Sequence, residues 1–101
     1  MKIFQLSQNL QFVKTPDSLN DRETTRGIRD AIVNEQLAIQ QYEALADGTA
    51  DERVKEVLQD IADEEKVHVG ELLQLLKDML PDEEGLLQDG AKEVNEAEEQ
   101  S

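Results

Sequence analysis

The sequence contains no cysteine and no tryptophan, and aromatic residues make up only 3% of it. The absence of cysteine excludes disulfides, zinc fingers, iron–sulfur clusters and thiol catalysis. Carboxylate and imidazole groups remain as the strong metal ligands, and they suit hard or borderline metal ions. No apolar run approaches the length that crosses a bilayer, and no secretory signal is recognisable, so we expect a cytoplasmic protein without a membrane partner.

Basic residues are also scarce, with 10 Lys and Arg against 24 Asp and Glu, which gives a formal net charge of −14. Because nucleic acids and anionic membranes are bound mainly through Lys and Arg, we expect no nucleic-acid partner, and cations are the favoured small ligands. The 101 residues, of which 38% are hydrophobic, predict one domain with a small core. A small core favours oligomerisation.

The pattern of turns and caps predicts an all-α chain in three parts. Residues 1–18 form an N-terminal arm that ends at Thr15-Pro16-Asp17, and residues 19–80 form an antiparallel two-helix hairpin. Its first helix begins near residue 19, capped by Ser18 or Asn20, and runs to about residue 46, where a left-handed Gly48 turns the chain. The second helix runs from about residue 50 to residue 80, and residues 81–101 form a short acidic C-terminal helix and tail.

Each long helix carries a seam, a row of residues spaced alternately by three and four that faces a partner helix. Two glutamates and the one histidine of the chain, Glu35, Glu65 and His68, occupy seam positions and are flanked by aliphatic residues. The first seam comprises Ile28, Ile32, Glu35, Ile39, Tyr42 and Ala46, and the second comprises Val54, Leu58, Ile61, Glu65, His68, Leu72, Leu75 and Met79. A bound cation explains all three polar exceptions, because burying an unpaired carboxylate costs several kcal/mol.

Glu65 and His68 form a Glu-x-x-His motif, which places both side chains on one side of a helix, and Glu35 lies on the other helix. Ferritin-like di-iron sites use one Glu from each of two helices and one Glu-x-x-His from each of two more. This chain therefore provides half a site, and the ligand count predicts a homodimer that forms a ferritin-like four-helix bundle. Iron is the expected metal, with two Fe per dimer interface.

Other interpretations of these residues remain open. Tyr42 lies two turns beyond Glu35, where its hydroxyl can hydrogen-bond a ligand, act as a redox neighbour or simply pack in the core. Asp63, Glu64 and Glu71 fall off the seam and are expected in solvent or paired with Lys66. Gly70 within a helix indicates close approach of another backbone. The whole chain could also be a metal-free acidic helical adaptor, or a rubrerythrin-like peroxide-scavenging di-iron protein, which normally needs a cysteine-ligated iron.

The segments IVNEQLAIQQYEALA (residues 32–46) and DEEKVHVGELLQLL (residues 63–76) resemble the encapsulated ferritins, the short ferritin-like hairpins of encapsulin nanocompartments. The resemblance implies that the chain is a ferroxidase that oxidises Fe(II) to Fe(III), with Glu35, Glu65 and His68 as ligands and Tyr42 beside them. It implies that Glu65 bridges the two irons. It also implies a decamer of five dimers, an encapsulin shell protein as partner, and a location inside that compartment, whose shell stores the iron.

Overall fold

The computed structural model describes residues 20–100, which form three helices: α1 (Asp21–Gly48), α2 (Glu52–Met79) and α3 (Pro81–Gln100). Within this part of the chain there is no strand, and the all-α prediction is confirmed. The predicted N-terminal arm, residues 1–18, lies outside the described residues. No helix among the described residues is long and apolar enough to span a bilayer.

Asn20 caps the start of α1, so of the two candidate caps the structure selects this one over Ser18. The Asn20 side-chain oxygen accepts a hydrogen bond from the backbone N–H of Glu23 at 2.8 Å. The Glu23 carboxylate in turn accepts one from the backbone N–H of Asn20 at 3.2 Å. These reciprocal bonds form a capping box, which satisfies amides that the first helical turn leaves without partners.

We expect the substitution Asn20→Ala to lower the free energy of unfolding by about 1 kcal/mol, because the box then loses its acceptor. Urea denaturation followed by circular dichroism measures this difference. Gln36→Ala, an exposed change in the middle of α1, is the control and should alter stability by only a few tenths of a kcal/mol. Equal effects of the two changes would contradict the capping role.

The turn between α1 and α2 is short and differs from the prediction. Gly48 does not take the left-handed conformation; it is the last residue of α1, and Thr49 follows with an extended backbone, φ −88° and ψ 143°. Asp51 caps α2 by accepting hydrogen bonds from the amides of Arg53 and Val54. Lys55 donates from Nζ to the last-turn carbonyl of Ala46 at 2.6 Å, which joins the two helices at this end.

The two long helices pack through residues that recur every seven positions. Thr25, Ile39 and Ala46 are buried on α1, and Ala62, Val69 and Leu76 are buried on α2. On α1 the buried residues agree with the predicted seam, since Ile39 and Ala46 belong to both. On α2 the contact with α1 is made by Ala62, Val69 and Leu76, each one position beyond the predicted seam residues Ile61, His68 and Leu75. The predicted α2 seam therefore lies beside this contact, and its role as the face toward a partner helix stays a prediction.

Helix α3 projects from the hairpin and buries little of itself. Leu86, Leu87 and Val94 are all more than half exposed, and Arg29 of α1 forms an ion pair with Glu83 in the first turn of α3. The radius of gyration is 17.2 Å, against about 12 Å for a compact domain of this size. The described chain is therefore too open to bury all of its apolar surface by itself.

Candidate metal centre

Glu35, Glu65 and His68 lie close together, about halfway along the length of the two long helices. One ligand atom from each of them lies within 4.8 Å of the other two. His68 Nδ1 is 3.4 Å from Glu35 Oε2 and 3.8 Å from Glu65 Oε2. Among the described residues this is the one group of three acidic or imidazole side chains close enough to share a metal ion. The structure thus brings together all three predicted ligands.

The hairpin holds these residues in register through a polar cluster on the neighbouring face of α2. Lys66, next in sequence to Glu65, donates to Glu43 of α1 at 2.8 Å and to Asp63 at 3.3 Å. Gln59 donates to the same two carboxylates. The hydrogen bonds of Lys66 and Gln59 lower the pKa of Glu43, so it stays ionised and the cluster stays paired. Asp63 is therefore paired with Lys66, as its position off the seam predicted.

Contacts within the cluster raise the pKa values of two of its three side chains, Glu65 and His68. Hydrogen bonding with Glu35, helped by partial burial and by the charge of Glu35, raises the pKa of Glu65. The hydrogen bond with Glu35 also raises the pKa of His68, and nearby carboxylates add to this effect while burial opposes it. Without a bound cation the site therefore retains protons to a higher pH than the isolated side chains would.

The centre lies at an open edge of the hairpin rather than inside it. The side chains of Glu65 and Glu35 are 20% and 26% exposed, whereas His68 is 52% exposed. Val54 and Leu75 share this side of α2 with His68 and are also exposed. His68 therefore belongs to an apolar stripe that α1 does not cover, and the residues of this stripe lie at intervals of seven: Val54, Ile61, His68 and Leu75.

The donor set fits a divalent metal such as iron. Two hard carboxylates and one borderline imidazole form the kind of ligand set that di-iron carboxylate proteins use, and no Lys or Arg belongs to the cluster. The raised pKa values of Glu65 and His68 fit as well, because a cation replaces the protons that otherwise compensate the clustered carboxylates. Three ligands from one chain leave the coordination of two metals incomplete.

The other residues that the sequence places near the centre differ in their exposure and in their contacts. Tyr42 is half-buried on the same face of α1, but within the described chain no hydrogen bond joins its hydroxyl to Glu35, Glu65 or His68. Glu64 is exposed, as predicted, and so is Glu71. At Gly70 a Cβ built on the backbone meets nothing within 4 Å in the described structure, so no backbone of the same chain approaches it there, and the approach of another backbone stays a prediction.

A helical hairpin that carries a carboxylate and imidazole cluster is the architecture of ferritin-like di-iron proteins. The comparisons with known proteins agree with this class. The family model described as rubrerythrin matches residues 28–100. The crystal structure of an encapsulated ferritin domain from Pyrococcus furiosus superposes with a TM-score of 0.79 at 37% identity, over 82% of this chain and 85% of that one.

A ferritin-like-encapsulin shell fusion protein from the same organism is 37% identical over 91 residues, which are 90% of this chain and 26% of the relative. The chain thus spans about a quarter of the length of that relative. The match to the solved domain covers most of both chains at an identity that indicates common ancestry. The chain belongs to the encapsulated ferritins, within the rubrerythrin family, and the predicted resemblance is confirmed.

Proposed function

We propose that this protein is a ferroxidase, which oxidises Fe(II) to Fe(III) at a di-iron site formed by two copies of the chain. The observation that carries this proposal is the convergence of Glu35, Glu65 and His68, whose ligand atoms lie within 4.8 Å of one another. Membership of the encapsulated ferritins supports the choice of iron over other divalent metals. Each ferrous ion gives up one electron, and dioxygen or peroxide accepts it.

The homodimer is inferred from what a single chain lacks. A ferritin-like di-iron site needs two further Glu and a second Glu-x-x-His pair, and within residues 20–100 no other acidic or imidazole cluster provides them. The stripe that contains His68 also carries exposed Val54 and Leu75, so a second hairpin packed there would complete a four-helix bundle in which the ligand residues of both chains would hold two irons.

The ligand residues have distinct tasks in this proposal. Neutral His68 would bind iron through a ring nitrogen after losing its proton. The resemblance to encapsulated ferritins supports Glu65 as the carboxylate that would be shared by the two irons. Carboxylates favour the ferric product because their attraction grows with the charge of the ion. Tyr42 on the same face of α1 is proposed as a neighbour of the centre that can donate a hydrogen bond or an electron.

The larger assembly is also a proposal. The relative whose name joins a ferritin-like protein to an encapsulin shell supports an encapsulin shell protein as partner, and a location inside the compartment which that shell encloses. The resemblance to encapsulated ferritins supports a decamer of five dimers. In this arrangement the chain oxidises iron and the shell stores the mineral.

Anaerobic titration with Fe(II), followed by native mass spectrometry, tests the proposal. We expect about one iron per chain, and a shift from single chains to an even-numbered assembly as iron is added. Admission of air should then produce ferric absorbance rapidly. No binding at micromolar iron, or binding to single chains alone, would contradict the di-iron dimer.

Iron binding should weaken as the pH falls, because the metal and the protons compete for the same groups. The pKa values of Glu65 and His68 are both raised above their ordinary values of 4.5 and 6.5, so these groups hold protons to a higher pH than usual. Binding must release those protons, and the apparent affinity should rise with pH through the neutral range. Calorimetric titration in two buffers of different ionisation enthalpy measures the proton release; its absence would contradict the ligand assignment.

A metal-free adaptor is the second candidate, because His68 already contacts Glu35 at 3.4 Å and such a pair could hold two copies together without iron. This candidate predicts that a chelator leaves the assembly intact and that Fe(II) does not bind. The rubrerythrin match favours a peroxide-scavenging role as a third candidate. Turnover of peroxide with an external electron donor, rather than accumulation of ferric iron, distinguishes it from a ferroxidase.

A further inference from the structure

A groove of about 660 Å³ lies between the two long helices and the first turns of α3, on the side of the hairpin away from the metal centre. Val33 and Leu73 line it, and each is roughly half a turn around its helix from Glu35 or His68. Its apolar residues are Ile32, Val33, Leu73, Leu76, Leu80 and Leu87. Val33 is 44% exposed and Leu73 is 50% exposed, so the groove is a second open apolar surface, separate from the stripe that contains His68.

The charged residues around this groove are weakly basic, in contrast to the whole chain. The groove and the adjoining hollow of about 420 Å³ are lined by four basic and three acidic residues: Arg22, Arg26, Arg29 and Lys77 against Asp21, Glu83 and Glu84. The whole chain has 10 basic residues against 24 acidic ones. An acidic segment is therefore accepted here, although the net charge of −14 repels it from the molecule as a whole.

Helix α3 carries an apolar stripe that its own hairpin leaves uncovered. Leu87, Ala91 and Val94 are spaced by four and three residues, so they lie on one side of the helix. All three are exposed, Val94 at 68%. Because α3 is one continuous helix, Val94 lies about 10 Å farther along its axis than Leu87, which lines the groove of its own chain. The stripe therefore extends beyond that groove and needs another partner.

The distal part of α3, residues 88–97, matches the groove in charge and in length. It contains three carboxylates and a single lysine, so it is acidic where the groove is weakly basic. The groove extends along α2 from Gly70 to Leu80, which is about 15 Å at the helical rise of 1.5 Å per residue, and the distal part of α3 has about the same length. Apolar contact and charge thus favour the same pairing.

We propose that the distal part of α3 of one chain binds in the groove of a second copy, with Ala91 and Val94 against Val33 and Leu73 of that copy. The contact is reciprocal, because each copy presents both the helix and the groove. It uses no metal ligand, so it does not rest on the proposed ferroxidase. Since the groove and the stripe that contains His68 lie on different sides of the hairpin, a chain can pair with one copy through each, which joins dimers into larger even-numbered assemblies.

Covalent cross-linking tests this contact, because the stripe is small and two single chains pair only weakly through it. The chain has no cysteine, so one introduced cysteine per chain reports contacts between copies without background. Full-length Val94→Cys is mixed with Leu73→Cys and, as the control, with Glu71→Cys, an exposed position on α2 that does not line the groove. Both mixtures contain a chelator and are treated with a short bis-maleimide, after circular dichroism has confirmed equal helix content.

Intact mass spectrometry identifies the product that joins two unlike chains, because the substitutions change the mass of the chain by different amounts. We expect several-fold more of this product in the mixture with Leu73→Cys than in the mixture with Glu71→Cys. Equal yields in the two mixtures, or no product with Leu73→Cys, would overturn the proposal. Since the chelator removes iron, this result is independent of the Fe(II) titration, and failure of either proposal is recognised separately.

Discussion

Glu65→Gln is expected to lower the rate of iron oxidation by more than a hundredfold while the hairpin remains folded. Glutamine keeps the shape of the side chain but provides no negative charge, and it cannot bridge two cations as a carboxylate does. Loss of a group that only orients a ligand typically costs about 10–100-fold in metal affinity or activity, so loss of a ligand itself should cost more. Stopped-flow absorbance after mixing with Fe(II) in air measures the rate.

The adjacent residue provides a matched control for this substitution. Glu64→Gln makes the same chemical change one position earlier, at an exposed side chain that is not part of the cluster of Glu35, Glu65 and His68. Its oxidation rate should stay within a factor of about two of the natural chain, since the charge of an exposed side chain outside the cluster is screened by solvent and salt. Equal losses in the two variants would show that net charge, rather than ligation, controls oxidation.

The melting temperature of the metal-free Glu65→Gln variant distinguishes a loss of metal binding from a loss of folding. The Glu65 carboxyl lies against Glu35, and the pKa of Glu65 is raised, so the ionised pair opposes folding as the pH increases. The neutral amide removes this repulsion, and the variant without metal should unfold at the same or a higher temperature than the natural chain at pH 8. Thermal melting in the presence of a chelator checks this; a lower melting temperature would mean that the carboxyl is needed for folding.

Much of the fold could be predicted from local signals in the sequence. Two long periodic segments separated by Asp47-Gly48-Thr49 define a hairpin, and Pro81 separates α3, so the three helices begin and end within three residues of their predicted limits. The sequence alone could not decide between Ser18 and Asn20 as the N-cap, because both residue types are good N-caps. The structure identifies Asn20, because its backbone N–H donates to the Glu23 side chain. Gly48 suggested a left-handed turn, yet Thr49 ends the helix in an extended conformation.

The candidate site was predictable because polar residues on an apolar seam need a compensating partner. Residue spacing alone placed Glu35, Glu65 and His68 together, and the structure brings them within 4.8 Å. The orientation of α2 was not predictable, because its apolar residues occupy two adjacent stripes. One stripe, Ala62, Val69 and Leu76, packs on α1. The other stripe contains Ile61, which is half-buried, and His68 and Leu75, which are exposed. A small residue such as Ala62 gives a weak hydrophobic signal, although its side chain is fully buried.

The second large effect is expected from a substitution in the open stripe, which changes dimerisation and leaves the metal ligands unchanged. Leu75→Glu is expected to prevent dimerisation and, with it, iron binding, although no ligand changes. Leu75 is 49% exposed in the single chain, so its substitution leaves the hairpin folded. In the proposed dimer each copy buries one Leu75, and a buried leucine contributes about 1.5–3 kcal/mol, so the dimerisation constant should fall by more than about a hundredfold. Analytical ultracentrifugation measures the association.

Val67→Glu is the control, since Val67 lies on the same helix, is 63% exposed and lies outside the open stripe. This variant should dimerise and bind iron as the natural chain does. Raising the concentration of Leu75→Glu should partly restore iron binding by mass action, whereas no concentration should restore it in Glu65→Gln. Iron bound stoichiometrically by dilute single chains of Leu75→Glu would contradict the shared site, because each hairpin would then hold the metal with its own three ligands.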